Sequence, residues 1–145
     1  MAQSTEAQSH NDLPEAAELE RLVGLALDRA RQAGADTAEA GVSADTGLSV
    51  NVRKGEVDTL EHHRNRSLGV TVYLGGRKGS ASSGDLAEAA VAEAVEAARA
   101  LARHTSEDPA NGLAPAERMA AEVPELDLYH PWPLSAEDAV ALARE

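Results

Sequence analysis

The 145-residue chain sets 25 acidic against 13 basic side chains, a formal net charge of −12, and contains no Cys, no Phe, one Trp and two Tyr. That balance repels nucleic acid and other polyanions; the missing cysteine excludes disulfides and thiolate metal sites; and no stretch approaches the roughly 20 apolar residues of a membrane span. Any core must be built from Leu, Val and Ala, whose small side chains demand close helix–sheet approach because dispersion contacts fade quickly across gaps.

Residues 1–12 are small and polar, which predicts a disordered tail. With neither a basic start nor an apolar run they make no signal peptide, so the cytoplasm is the expected location. Asp12 and Glu15 form a capping pair ahead of a helix whose apolar stripe is Leu19, Leu22, Val23, Ala26, Leu27 and Ala30. Arg29 and Arg31 suit its C-terminal dipole, and Gly34 supplies the stop.

The pattern then switches to period two. Ala38, Ala40, Val42 and Ala44 alternate with polar or small residues, as do Leu48, Val50 and Val52. Asp45-Thr46-Gly47 between them predicts a hairpin turn, and Lys54-Gly55 predicts a second. A weaker strand spans Val57 to Leu60. Leu68, Val70, Val72 and Leu74 give the clearest alternation, and Gly75-Gly76 can take positive φ at both turn positions. The partner strand, Arg77 to Ser83, is made of small residues that let something pack closely on its face.

Asp85 with Glu88 predicts the capping box of a second helix, with its stripe at Val91, Ala94, Val95, Ala98, Leu101 and Ala102. Arg99, Arg103 and His104 lie toward its C-terminal end. Asp108-Pro109 and Asn111-Gly112 mark a loop. An acidic stretch with Pro115 and Pro124 leads to Tyr129-His130-Pro131-Trp132, which holds two of the three aromatic residues. Ser135 and Asp138 then cap a final helix, with Leu134 placed for a hydrophobic staple; so short a helix needs a continuation or a docking surface.

The expected fold is therefore α+β: an antiparallel sheet of four to five strands with two main helices on one face, in the order helix–strands–helix, plus a truncated C-terminal helix. The organisation runs as a tail (1–12), an α+β domain (13–107), an extended linker or strap (108–134) and the start of a helix (135–145).

Chemistry is sparse. Adjacent His62 and His63 point to opposite faces of a strand and cannot simply share an ion, and with Glu61, Arg64 and Arg66 they read as a solvated charged turn. His104 answers a helix dipole, His130 reads as packed or hydrogen-bonded, and His10 lies in the tail. Gly75 to Ser80 lacks phosphate-loop spacing. Ser80, Ser82 and Ser83 have no nucleophile elbow around them. Arg53, Lys54, Arg64, Arg66, Arg77 and Lys78 are too interrupted by Glu56, Asp58 and Glu61 to make a nucleic-acid surface. Tyr129–Trp132 reads as a strap pinning the last helix, or as a partner anchor. No residue is expected to be catalytic, cofactor-binding or metal-binding.

Leu48–Asn65, Leu68–Asp85, Asp108–Leu113 and Asp127–Trp132 together resemble the PmbA/TldE family, and the run through Gly69, Gly75, Gly76, Gly79 and Ala81 is similar to the sister TldD subunits. Asp127–Trp132 points to the PmbA/TldE side. The resemblance implies the N-terminal domain of a subunit that pairs with a TldD-like partner as a cytosolic zinc-dependent protease. Its substrates would be unfolded peptides, with roles in modified peptide antibiotic maturation and antitoxin removal. The zinc and its His-Glu motif are expected in the TldD partner, with no cofactor in this chain. The rival expectation is a stand-alone protein-binding adaptor, and a small independent metal hydrolase using His62 or His63 is a third.

Overall fold

The computed structural model describes residues 13–128, 130 and 132–145. Helix α1 spans Ala16–Gln32 and buries Leu22, Ala26 and Ala30 from the expected stripe. It starts behind Glu15 without a side-chain cap, and Asp12 lies outside the described residues, as does the predicted tail. Gly34 adopts positive φ just past the helix, where a Cβ would be disfavoured.

Three strands follow, not four or five: β1 (Thr37–Arg53), β2 (Glu56–Leu74) and β3 (Arg77–Ser83), antiparallel in the order β1-β2-β3. Asp45-Thr46-Gly47 is no turn but the middle of β1, paired with Asn65, Arg64 and His63. The reason lies in phase. Ala38–Ala44 and Leu48–Val52 all occupy even positions, so one unbroken strand keeps both runs on one face. The proposed strands at Val57–Leu60 and Leu68–Leu74 are likewise one strand. Register shifts between Asn51 and Val52, which pair with Thr59 and Val57, leaving Asp58 extra. That bulge returns odd-numbered Val57 to the face of Leu60. Both remaining turns hold as expected. Lys54 and Gly55 have φ of 54° and 81°, and Gly75 and Gly76 have 55° and 72°, as two-residue hairpins of type I′ require.

Helix α2 (Glu88–His104) buries Val91, Ala94, Val95, Ala98 and Ala102. The predicted Asp85–Glu88 capping box does not form, and Ala87 precedes the helix without a side-chain cap. Asp85 instead closes a local turn, its Oδ1 accepting from Ala87 N–H at 2.9 Å, while Ser83 Oγ accepts from Asp85 N–H at 3.1 Å. A shorter helix, α3 (Ala136–Arg144), has Ser135 as its N-cap, the side chain accepting from Asp138 N–H at 3.0 Å as expected.

The core joins Leu22, Ala26 and Ala30 of α1 to Leu68, Val70 and Val72 of β2 and Val91, Ala94, Val95 and Ala98 of α2. Only one sheet face contributes, so α1 and α2 share it: α1 lies along β1, and α2 along β2 and β3. Gly79 makes that contact possible. A Cβ there would lie 2.1 Å from the Ala98 carbonyl oxygen and 2.4 Å from Ala102 N. The small residues of β3 thus serve the close approach that the sequence predicts.

Because β3 pairs only with Leu68–Leu74, the outer part of the β1–β2 hairpin has no third strand. Residues 56–67 of β2 are all exposed, whereas Leu68, Val70, Val72 and Tyr73 are buried.

Candidate functional site

The residue types that invited chemistry from the sequence are spread along the sheet. His62 and His63 lie on opposite faces of the outer hairpin. His63 folds its ring over its cross-strand partner Gly47, where a Cβ would meet His63 Cε1 at 2.2 Å. Its Nε2 stands 3.8 Å from Asp45 Oδ2, which also accepts from Asn65 Nδ2 at 3.0 Å. Among the described residues no group of three or more His, Cys, Asp or Glu is placed to hold a metal ion. The donor set therefore does not fit a zinc site. His104 ends α2 in solvent, His130, expected to be packed or hydrogen-bonded, is exposed, and His10 lies outside the described residues.

The serines are structural. Ser80 Oγ is 2.9 Å from Thr71 Oγ1, and Ser83 Oγ donates to the Asp85 carbonyl at 2.9 Å. Around Gly75-Gly76 the chain's own groups occupy the backbone. Gly75 N–H donates to Asp36 Oδ2 at 2.6 Å. The Gly76 carbonyl accepts from Asp108 N–H at 2.8 Å and Asn111 Nδ2 at 3.0 Å. A carboxylate sits where a phosphate would have to bind.

The basic residues form no single patch. Arg53 and Lys54 sit at the outer hairpin tip, while Arg77 and Lys78 flank the turn at the opposite end of β2. Between these ends, Arg64, Asn65, Arg66 and Gly84 line an open hollow of about 410 Å³ where β3 leaves the sheet. A second hollow of about 280 Å³, lined by residues including Arg29, Gln32, Ala92 and Glu96, lies between α1 and α2.

The sheet face opposite α1 and α2 is polar and small. Gly41 faces Gly69 and Ser43 faces Ser67 across the strands. At one end Tyr73, 8% exposed, donates its hydroxyl to Glu39 Oε1 at 2.9 Å. Burial, and then the Glu39 carboxylate, push the Tyr73 phenol above its ordinary pKa.

The edge of β3 has a defined polarity. A type I′ turn makes Leu74 and Arg77 a hydrogen-bonded pair, so Gly79, Ala81 and Ser83 also direct their backbone groups toward β2. Lys78, Ser80 and Ser82 face outward. The Thr105 hydroxyl accordingly reaches the Lys78 carbonyl at 2.9 Å.

In the segment expected to act as a strap or an anchor, Trp132 is 70% exposed. Tyr129 and Pro131 lie outside the described residues. Sequence reasoning missed the neighbours that share this exposure, Val123 and Leu128, at 88% and 79%. Their alternation with Glu and Asp looked like ordinary linker composition.

The described residues form an α+β unit whose α2 meets β3 at Gly79. Residues 38–102 match the family model for PmbA/TldA metallopeptidase domain 1, a span running from β1 through β2 and β3 into α2. The chain belongs to the PmbA/TldE family as an N-terminal domain. It is 47% identical over 125 residues to a metalloprotease PmbA of Escherichia coli O157:H7, covering 86% of this chain and 28% of that protein. A PmbA homolog of Haemophilus influenzae is 43% identical, covering 87% and 28% respectively. The crystal structure of TldE from Thermococcus kodakarensis shares the fold, with a TM-score of 0.59 at 19% identity over 74% of this chain and 23% of that one. The chain thus spans under a third of the length of these curated relatives.

Proposed function

We propose that this chain is the non-catalytic first domain of a PmbA/TldE-type subunit, which joins a TldD-type partner in a cytoplasmic zinc-dependent peptidase acting on unfolded peptides. The observation that carries this reading is the 47% identity to a metalloprotease PmbA across most of the chain. In this reading the zinc and the proton transfers of hydrolysis belong to the TldD-type partner. This domain would supply a wall. Modified peptide antibiotics and antitoxins are the substrates to try first.

A peptide could lie along the wall by pairing with the outward groups of Ser80 and Ser82, since main-chain hydrogen bonds bind extended chains without reading sequence. A proline at Ala81 would be a poor test, because Ala81 bonds inward to β2. Ser82→Pro removes an outward donor and leaves the β2–β3 ladder in place.

The reading is tested by combining the chain with a purified TldD-type subunit and following cleavage of an unfolded peptide, with and without a zinc chelator. Chelator-sensitive cleavage that needs both proteins is expected, with Ser82→Pro slowing long peptides more than short ones. Cleavage by the partner that ignores this chain would overturn the assignment. The exposed Trp132 favours one alternative, a stand-alone adaptor that binds a protein and takes no part in proteolysis.

A further inference from the structure

An asparagine followed by glycine is a reactive pair, because the next backbone nitrogen can attack the side-chain amide and glycine adds no Cβ to hinder the approach. Asn11, Asn51 and Asn65 precede Asp12, Val52 and Arg66; only Asn111 precedes a glycine, Gly112. The same side chain fastens the loop after α2 to the sheet. Asn111 Nδ2 donates to the Gly76 carbonyl at 3.0 Å, alongside Asp108 N–H at 2.8 Å. At the start of this loop, Thr105 Oγ1 donates at 2.9 Å to the Lys78 carbonyl on the outer edge of β3. Donors from both ends of residues 105–111 thus hold the loop against the β2–β3 turn and the adjoining strand edge.

Acidic groups crowd this contact. Glu107 Cγ lies 3.1 Å from where a Gly76 Cβ would stand, and Asp108 Oδ1 accepts from Ala110 N–H at 2.9 Å. A carboxylate in place of the Asn111 amide has no proton to give the Gly76 carbonyl and adds to the negative charge around it. We propose that Asn111 is a deamidation site, held back by its bond to Gly76 and, once converted, unable to fasten the loop to the β2–β3 turn. In the reaction the Gly112 nitrogen bonds to Asn111 Cγ as the Cγ–Nδ2 bond breaks, and the Gly112 proton leaves with the amide nitrogen as ammonia. Water then opens the cyclic imide at either carbonyl, giving aspartate, or isoaspartate with a methylene added to the backbone. Attack requires the side chain to leave Gly76, and a hydrogen bond of ordinary net strength lowers the population of that free state by up to about tenfold. The inference does not depend on the activity of the subunit.

The chain is aged at neutral pH beside a synthetic peptide of residues 105–115, and both are followed by peptide mapping with isoaspartate-specific methylation. Conversion should concentrate at Asn111 and run up to about tenfold slower than in the peptide. Gly112→Ala should slow it further without disturbing the fold, since a Cβ there meets nothing within 4 Å and Gly112 is not among the glycines of positive φ. Asn111→Asp stands in for the converted chain. Its Asp108 amide should exchange with solvent up to about tenfold faster, while the Val72 amide inside the sheet keeps its rate. Conversion as fast in the chain as in the peptide would overturn the restraint by Gly76. No conversion at Asn111 over several half-lives of the peptide, or faster conversion at Asn51 or Asn65, would overturn the site. Unchanged exchange at Asp108 in Asn111→Asp would overturn the fastening role.

Discussion

Two glycines sit against equally close neighbours, yet their replacement by alanine should have opposite consequences. At Gly79 the obstruction is the α2 backbone, 2.1 Å from the Ala98 oxygen, and a packed helix cannot retreat without opening the core. Gly79→Ala should cost about 1–3 kcal/mol or more, as overpacking does. At Gly47 the obstruction is the tip of the His63 ring at 2.2 Å, on an exposed hairpin where the ring can rotate away. Gly47→Ala should stay within about 0.5 kcal/mol, as surface substitutions do. Urea unfolding of both variants checks the contrast; equal losses would mean that α2 does not hold the sheet at Gly79. Tyr73 gives a pH test at the same scale. Its folded pKa is raised by burial and by Glu39, so its contribution is complete below the unfolded value of about 10 and is lost as pH rises through the folded value. Stability should fall above about pH 10, and Tyr73→Phe should flatten that decline.

The β1–β2 hairpin is stable to different degrees along its length. Near Leu68–Leu74 it has β3 beside it and α1 and α2 against it; farther out no third strand pairs with it, and although α3 also packs on β1 and β2, a two-stranded ribbon is marginal in water by itself. At its tip Lys54 is held at φ 54°, where asparagine is tolerated far better than lysine. Lys54→Asn should therefore slow amide exchange in the ribbon by up to about 1 kcal/mol of protection. The global melting temperature should barely change, because local opening at the tip does not need global unfolding. A melting shift as large as the gain in protection would show that the ribbon and core unfold together. How the strands divide was only partly legible in the sequence. Lys54-Gly55 and Gly75-Gly76 announced themselves because positive φ has a residue signature. Asp45-Thr46-Gly47 has turn composition too, but composition is local, while the shared even phase of Ala38–Val52 extends over the whole strand. The bulge at Asp58 had no residue signal beyond Val57 falling out of phase with Leu60. The Asp85–Glu88 box failed for a related reason: the three-residue spacing was present, but Ser83 offered Asp85 a closer partner. The candidate site was least legible of all, since whether Trp132 pins a helix or faces solvent depends on tertiary contacts that no local pattern encodes.

On the scale of the whole molecule, charge opposes the fold. A net charge of −12 crowds like charges into one small domain, and self-repulsion of this kind destabilises the compact state. Ion pairs that could offset it, such as Arg21 with Glu18 and Glu88 and Arg31 with Asp28, are on the surface, where such pairs contribute little. Screening should therefore favour folding. Raising ionic strength from 0.01 M to 0.15 M shortens the Debye length from about 30 Å to about 8 Å, so the melting temperature should rise over that range. A melting temperature that falls with salt would mean that attractive surface pairs outweigh self-repulsion.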